Sequence, residues 1–273
     1  MSDSPRFFAG VTDWGQSTRW KCLCAYDGTE FNGWQKQPNR EAVQDKIEDV
    51  LQAIFGSRIR TIGAGRTDAG VHASGQVFHF DASWKHGADA LLQAFRVSFP
   101  PGISPRKIES VNHRFHAHLS ARGKRYRYRI CKGWAMPSDE RFVHSMKGRP
   151  LLVDEMHEAS LHFLGTHDFA AFAASRGSKE REPSVKKLWR MEWKEVGGEL
   201  QLITEAEGYL YKMVRSMVGA MIDVGLGRIK PNEIKKILLT KKRTARVVSA
   251  PAKGLSMEKV FYRLPKLANS LLL

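Results

Sequence analysis

Hydrophobic and polar residues alternate in several short runs of this chain, and between those runs apolar residues recur at every third or fourth position. Trp20 to Tyr26 is the first alternating run, with Trp20, Cys22, Cys24 and Tyr26 on one face. A period of two predicts a strand with one face on a core. From Ala42 to Phe55 the residues Val43, Ile47, Val50, Leu51 and Ile54 fall at helical spacing, and Gly56 follows as a stop signal. That pattern predicts an amphipathic helix packed on a sheet. Gln76 to Asp81 alternates again, and Ala88 to Phe95 reads as a second helix, ended by Pro100-Pro101-Gly102 and followed by a further strand.

The second half repeats this alternation of periods. Arg125 to Ile130 places Tyr126, Tyr128 and Ile130 on one face of a strand and Arg125, Arg127 and Arg129 on the other. His144 to Pro150 reads as a linker and Asp154 to Phe163 as a helix. Ser175 to Pro183 is a polar loop. Leu188 to Val196 and Leu200 to Ala206 form a predicted hairpin across Gly197-Gly198. Tyr209 to Arg215 opens a helix whose stripe is Val214, Met217, Val218, Met221 and Ile222, closed by Gly225. A short helix with proline near its first turn covers Pro231 to Leu239, and Val260 to Arg263 is a last strand. Strands and helices in this order predict an α+β fold with helices packed on an antiparallel sheet.

Composition narrows the function. The chain has 273 residues, of which 42% are hydrophobic, enough for one large core or two small ones. It lacks an apolar run long enough to span a bilayer. Met1 to Thr18 carries Asp3 and Asp13 and lacks an apolar stretch, which argues against a secretory signal. Lys and Arg number 44 against 28 Asp and Glu, a formal charge of +16 spread over the whole chain, so a polyanion is the expected partner. The run Lys241 to Arg243, by itself, reads as solvated surface. Three cysteines, Cys22, Cys24 and Cys131, make neither a disulfide framework nor a CxxC pair. They point to a reducing compartment; the cytoplasm is the first expectation, with the nucleus or an organelle as the alternatives.

The stretch with most chemistry is Gly63 to Ala73, which reads Gly-Ala-Gly-Arg-Thr-Asp-Ala-Gly-Val-His-Ala. Gly63, Gly65 and Gly70 permit positive φ and close backbone approach, so the loop can press on a ligand with Arg66 and Asp68 at its tip. Asp68 reads either as a turn residue or as a reactive carboxylate. The guanidinium of Arg66, two residues away, favours the second, because it would hold the carboxylate ionised and aimed. His167 and Asp168 are adjacent and have no third ligand at metal spacing, so they read as structural.

This loop, without a gap, resembles the GxGRTDxGVHA signature of the TruA family of tRNA pseudouridine synthases. Four other segments are similar to that family in the same order: Tyr26 to Gln37, the Lys-x-Tyr-x-Tyr strand at Lys124 to Tyr128, Leu164 to Phe169 and Tyr209 to Gly219. Ala250 to Leu255 resembles the family's APAxGLxL ending. The likeness runs from about Trp20 to Tyr262 and departs at Arg96 to Pro100, where the family pattern reads Asn-x-x-Leu-Pro.

The resemblance implies two α/β domains sharing a central antiparallel sheet, residues 20–113 and 114–264, with a cleft between them and tails at 1–19 and 265–273. It implies that Asp68 is the catalytic residue with Arg66 as its charged neighbour, that Tyr126 lines the uridine pocket, that Arg215 faces the aspartate and that Leu255 floors the pocket. Gly65 and Thr67 become substrate contacts beside Asp68. Arg125 and Arg127 are candidates for RNA phosphates, because a strand with a cationic and an aromatic face suits RNA. In the Tyr26 to Gln37 segment the resemblance implies an RNA-facing loop, whereas Phe31 reads as a core aromatic; Tyr128 also reads as core. Further expectations are tRNA as substrate, a homodimer, and no metal or organic cofactor. The competing reading is a non-catalytic tRNA-binding protein or RNA-folding chaperone on the same scaffold.

Overall fold

One sheet of ten strands organises the chain in the computed structural model, which describes residues 17–39, 41–175 and 183–264. Its N-terminal half contains β1 (Thr18–Tyr26), α1 (Val43–Phe55), β2 (Ile62–Gly63), β3 (His72–Ala82), α2 (Gly87–Ser98) and β4 (Ile103–Val111). The C-terminal half begins with β5 (Gly123–Cys131), β6 (His144–Ser145), α3 (Val153–Leu161) and β7 (Gly165–Asp168). It ends with β8 (Val185–Val196), β9 (Glu199–Ala206), α4 (Met213–Gly225), α5 (Glu233–Thr240) and β10 (Leu255–Phe261). The α+β class read from the sequence is the one observed.

The strand order is β4-β1-β3-β10-β5-β9-β8-β7, so β10 lies in the middle and joins the two halves. Ser256 and Met257 pair in parallel with His72 and Ala73 of β3. On its other side β10 runs antiparallel to β5, with Leu255 opposite Tyr128 and Met257 opposite Tyr126. The sheet is therefore mixed, antiparallel except at β10 with β3 and at β6 with β5. The start of β10 was hidden in the sequence because a bulge between Met257 and Lys259 breaks the alternation. β6 lies inside the expected linker for a similar reason: two residues carry no periodicity.

Side-chain alternation explains the layers. Trp20, Cys22, Cys24 and Tyr26 are all buried on one face of β1, and Tyr126, Tyr128 and Ile130 on one face of β5. Phe31 and Trp34 are buried too, so the aromatics after β1 belong to the core. Ile47 and Leu51 of α1 have no exposed surface, and burial stabilises each by about 1.5–3 kcal/mol. Asp45 reaches back to the Ala42 N–H at the start of α1, and Gly56 ends it in the left-handed region at φ 70°.

Helix α4 departs from its predicted form in two ways. It begins at Met213, because Lys212 sits at φ 58° and blocks helical continuation from Tyr209. It is also buried nearly all round, with Met213, Ser216, Ala220, Val224 and Gly225 joining the predicted stripe. In α5 the proline precedes the cap residue Asn232 and does not occupy the first turn. The N-terminal tail through residue 16, most of the polar loop after Ser175 and the C-terminal tail lie outside the described residues. No helix among the described residues is long and apolar enough to cross a membrane.

Candidate active site

The loop from Gly63 to Val71 joins β2 to β3 and is fastened by its neighbours. Trp34 donates its backbone N–H to the Thr67 carbonyl at 3.1 Å, and Gly70 donates to Phe31 at 3.3 Å. The Tyr26 hydroxyl meets the Thr67 hydroxyl at 2.8 Å, and Gln76 Nε2 donates to the Gly65 carbonyl at 2.8 Å. Gly70 takes the positive φ, 74°, expected of this loop. Gly63 and Gly65 instead serve close approach: a Cβ on Gly63 would lie 2.4 Å from the Trp34 indole, and one on Gly65 2.8 Å from the Lys124 side chain. Asp68 thus projects from a backbone that has little freedom to move.

The guanidinium that meets Asp68 is that of Arg215, with Nη1 at 3.1 Å from Oδ2. The expectation that Arg66 performs this role is corrected. Arg66 is exposed, and its Nε donates to Gln35 Oε1 at 3.1 Å. The segment between Gly63 and Val71 is an irregular loop in which the period-two rule of a strand does not hold, so proximity in sequence did not become contact. Arg215 lies in the first turn of α4, where the helix dipole disfavours a cation, and its Nε donates to the Ala250 carbonyl at 2.8 Å. Two acceptors on two segments therefore fix its direction.

Around this pair lies a small pocket of about 50 Å³ whose walls include Thr67, Val71, Tyr126, Tyr209, Leu210 and Leu255. Tyr126 packs edge-to-face on Tyr209 at 5.1 Å between ring centroids. Burial first, and then the charge of Asp68, push its phenol upward, so at neutral pH it is a neutral hydroxyl. Leu255 is buried and lines the same pocket as Asp68. Thr67 also lines the pocket, but its hydroxyl is engaged by Tyr26.

A groove of about 740 Å³ opens next to the pocket and shares Arg66, Tyr126 and Tyr209 with it. Gly65, Lys124 and Lys186 also line it, together with His116 and His118, and Glu207 is its carboxylate. His116 Nδ1 accepts N–H bonds from His118 and Leu119, which leaves Nε2 as the protonated nitrogen. Ile62 and Leu119 line the same groove and are 41% and 74% exposed. The result is a cationic channel with apolar rims.

Arg125 and Arg127 do not join it. Both lie on the face of β5 opposite Tyr126, where Arg125 pairs with Glu205 at 2.7 Å and Arg127 with Glu258 at 2.8 Å. Glu205 is buried and also accepts from Trp189 and Arg190. Burial raises its pKa, but these donors outweigh that and hold it below the usual carboxylate range. The cationic face read from the sequence is thus matched by acids from β9 and β10, and Arg125 and Arg127 lie apart from the groove that Tyr126 lines. His167 and Asp168 are used locally: Nε2 of the first meets the Leu164 carbonyl at 2.7 Å, and Oδ1 of the second accepts from the Ala170 N–H at 3.0 Å.

A family model described as tRNA pseudouridine synthase matches residues 23–118 and 159–263, the segments that supply the Asp68 loop, Tyr209 and the arginine helix. The chain belongs to the TruA family of tRNA pseudouridine synthases. Members of this family are isomerases, so the chain is an enzyme of that class. The chain is 39% identical over 253 residues to tRNA pseudouridine synthase A of Bacillus licheniformis, covering 89% of this chain and 99% of the relative. It is 37% identical over 246 residues to tRNA pseudouridine synthase A of Bacillus subtilis, with the same two coverages. Among solved structures, a chain of a Cbf5-Nop10-Gar1 complex is 13% identical, with a TM-score of 0.35 over 87% of this chain and 48% of its own.

The sequence did not single out Tyr209, Lys124 or the Ala250 carbonyl, which the fold places in the pocket, in the groove and against Arg215 respectively. Tyr209 stood in the quoted segment Tyr209 to Gly219, so the signal existed. The Ala250 contribution is a backbone atom and leaves no trace in residue type.

Proposed function

We propose that this chain isomerises uridine to pseudouridine in the anticodon arm of tRNA, with Asp68 as the catalytic carboxylate. The observation that carries the reading is the Asp68–Arg215 pair, walled by Tyr126 and Leu255, at the end of a cationic groove. A target inside a helical stem is out of reach of such a pocket, so the uridine must leave the stack and enter it. Tyr126 then offers a ring face and a neutral hydroxyl to the base, and Leu255 an apolar floor.

The reaction is redox-neutral. The bond from uracil N1 to ribose C1′ breaks, the base turns, and a bond from C5 to C1′ forms. The hydrogen at C5 leaves as a proton to water, and N1 gains one. Arg215 keeps one oxygen of Asp68 fixed while the carboxylate engages the nucleotide. The groove cations Arg66, Lys124 and Lys186 take flanking phosphates, residues 20–113 and 114–264 act as the two walls, and a cytoplasmic homodimer presents two such sites.

tRNA labelled with tritium at uracil C5 tests this directly. Release of tritium to water should equal the pseudouridine formed, and unlabelled tRNA should react with no change in mass. Binding without release, across a set of tRNAs that includes uridine in the anticodon arm, would favour the folding-chaperone reading instead.

A further inference from the structure

The run Lys241 to Arg243 reads in the sequence as solvated surface, and Lys241 and Lys242 are indeed exposed. Arg243 turns inward. Its Nη1 donates to the Phe172 carbonyl at 3.2 Å and to Ser216 Oγ at 2.8 Å, and its Nη2 donates to the Val247 carbonyl at 2.7 Å and Ser249 Oγ at 3.2 Å. Among the described residues no carboxylate pairs with it, and burial lowers its pKa. A guanidinium placed among neutral oxygens costs stability that a charged partner would offset. Nothing in the packing of α4 needs a charge there, since Ser216 and Ser249 already meet at 3.1 Å.

What this cation fastens is the segment that aims Arg215. Ser216 follows Arg215 on α4, and Ser249 precedes Ala250. Ala250 exchanges two bonds with Arg215: its N–H donates to the Arg215 carbonyl at 2.9 Å, and its carbonyl accepts from Arg215 Nε at 2.8 Å. The segment lies flat on the helix, because a Cβ on Gly219 would come within 1.9 Å of the Val248 carbonyl. Five donors in a planar fork suit Arg243 to hold four acceptors from three segments at once, which a lysine cannot do.

We propose that Arg243 is a positioning residue for the isomerase reaction, setting the Ala250 carbonyl and, through it, the direction in which Arg215 meets Asp68. The proposal rests on the tRNA pseudouridine synthase reading above and concerns a residue that touches neither substrate nor the reacting atoms. Its effect should fall on the chemical step and spare tRNA affinity, because Arg243 lines neither the pocket nor the groove.

The test is single-turnover tritium release with enzyme in saturating excess over tRNA, with tRNA affinity measured separately and melting curves recorded to keep each assay below unfolding. Arg243→Lys should slow release by about tenfold to a hundredfold, the scale of a misplacement near 1 Å, with affinity within about threefold. Ser249→Ala, which removes a single acceptor, should fold normally and slow release by a smaller factor. In an Arg215→Lys background, Arg243→Lys should add little further slowing, since both changes disable one aiming device. Wild-type release from either Arg243→Lys or Ser249→Ala, or slowing by Arg243→Lys that multiplies fully on that of Arg215→Lys, would overturn the proposal and leave the function standing. A wild-type chain that binds tRNA and releases no tritium would instead overturn the function, and this proposal with it.

Discussion

Asp68 and Arg215 are 147 positions apart in the chain and meet at 3.1 Å, with side chains 18% and 15% exposed. Asp68→Asn keeps the shape and removes the charge. Turnover should fall at least about a thousandfold, roughly 4 kcal/mol of transition-state stabilisation, while tRNA affinity changes by less than about threefold. Arg215→Lys cannot serve both Ala250 and Asp68 and should slow the chemical step by about tenfold to a hundredfold. Single-turnover rates beside filter-binding affinities check both. An Asn variant at the parental rate would remove Asp68 from the chemistry.

Gly33 sits at φ 81°, and a Cβ there would lie 2.5 Å from the Thr67 carbonyl, one residue from Asp68. Gly33→Ala should cost about 1–2 kcal/mol for the left-handed backbone alone, and more through displacement of the loop that carries Asp68. Gly198 has a similar φ of 80° with nothing within 4 Å of its would-be Cβ, so Gly198→Ala should lose comparable stability and keep its rate. Denaturant melts and turnover for the two variants separate strain from displacement. Equal rates in both would show that the loop tolerates the push.

His79 is buried, its Nδ1 accepts the Ala117 N–H at 3.1 Å, and its pKa falls to about 4 from 6.5. Burial is the first cause, followed by the charges of Arg19 and His116, with Asp81 opposing them. The unfolded chain then binds the proton more readily, so stability is full above pH 6.5 and is lost as pH falls toward 4. The loss should approach about 2–3 kcal/mol. His79→Asn keeps an acceptor near Nδ1 and should flatten this part of the curve. Urea unfolding from pH 7 to 4.5 is the measurement, and parallel curves for the two proteins would contradict it.

Much of the local structure behind these expectations was legible. The strand periods of β1 and β5, the stripe of α4 and the signature loop all express themselves within about ten consecutive residues. Pairing between distant strands does not. The acids that neutralise Arg125 and Arg127 come from β9 and β10, and the place of β10 between β3 and β5 is set by hydrogen bonds that any sequence can make. Arg66 and Arg215 were both legible as candidates for Asp68, but only the fold decides which cation arrives.

That decision changes which residues should govern binding of a polyanion. Each phosphate neutralised should add about 0.7–0.9 to the slope of log affinity against log salt. Lys186→Ala, in the groove, should lower that slope by about one such step. Arg127→Ala should leave it unchanged, because Glu258 already answers that charge. Titrations with tRNA from low to high salt distinguish the two, and a drop in slope for Arg127→Ala would return the back face of β5 to the RNA.

The insertion of β10 at the centre has a consequence for how the sheet avoids sticking to other chains. In the finished fold the outer strands of the main order are β4, which carries Pro105 and several charges, and β7, which has four residues; both make poor templates for a foreign strand. Before β10 docks, β3 and β5 face outward with long buried-type sequences and open N–H and C=O rows. A chain that had formed both half-sheets without docking β10 would expose both of these edges, so a lesion near Leu255 should raise aggregation during refolding, read by light scattering.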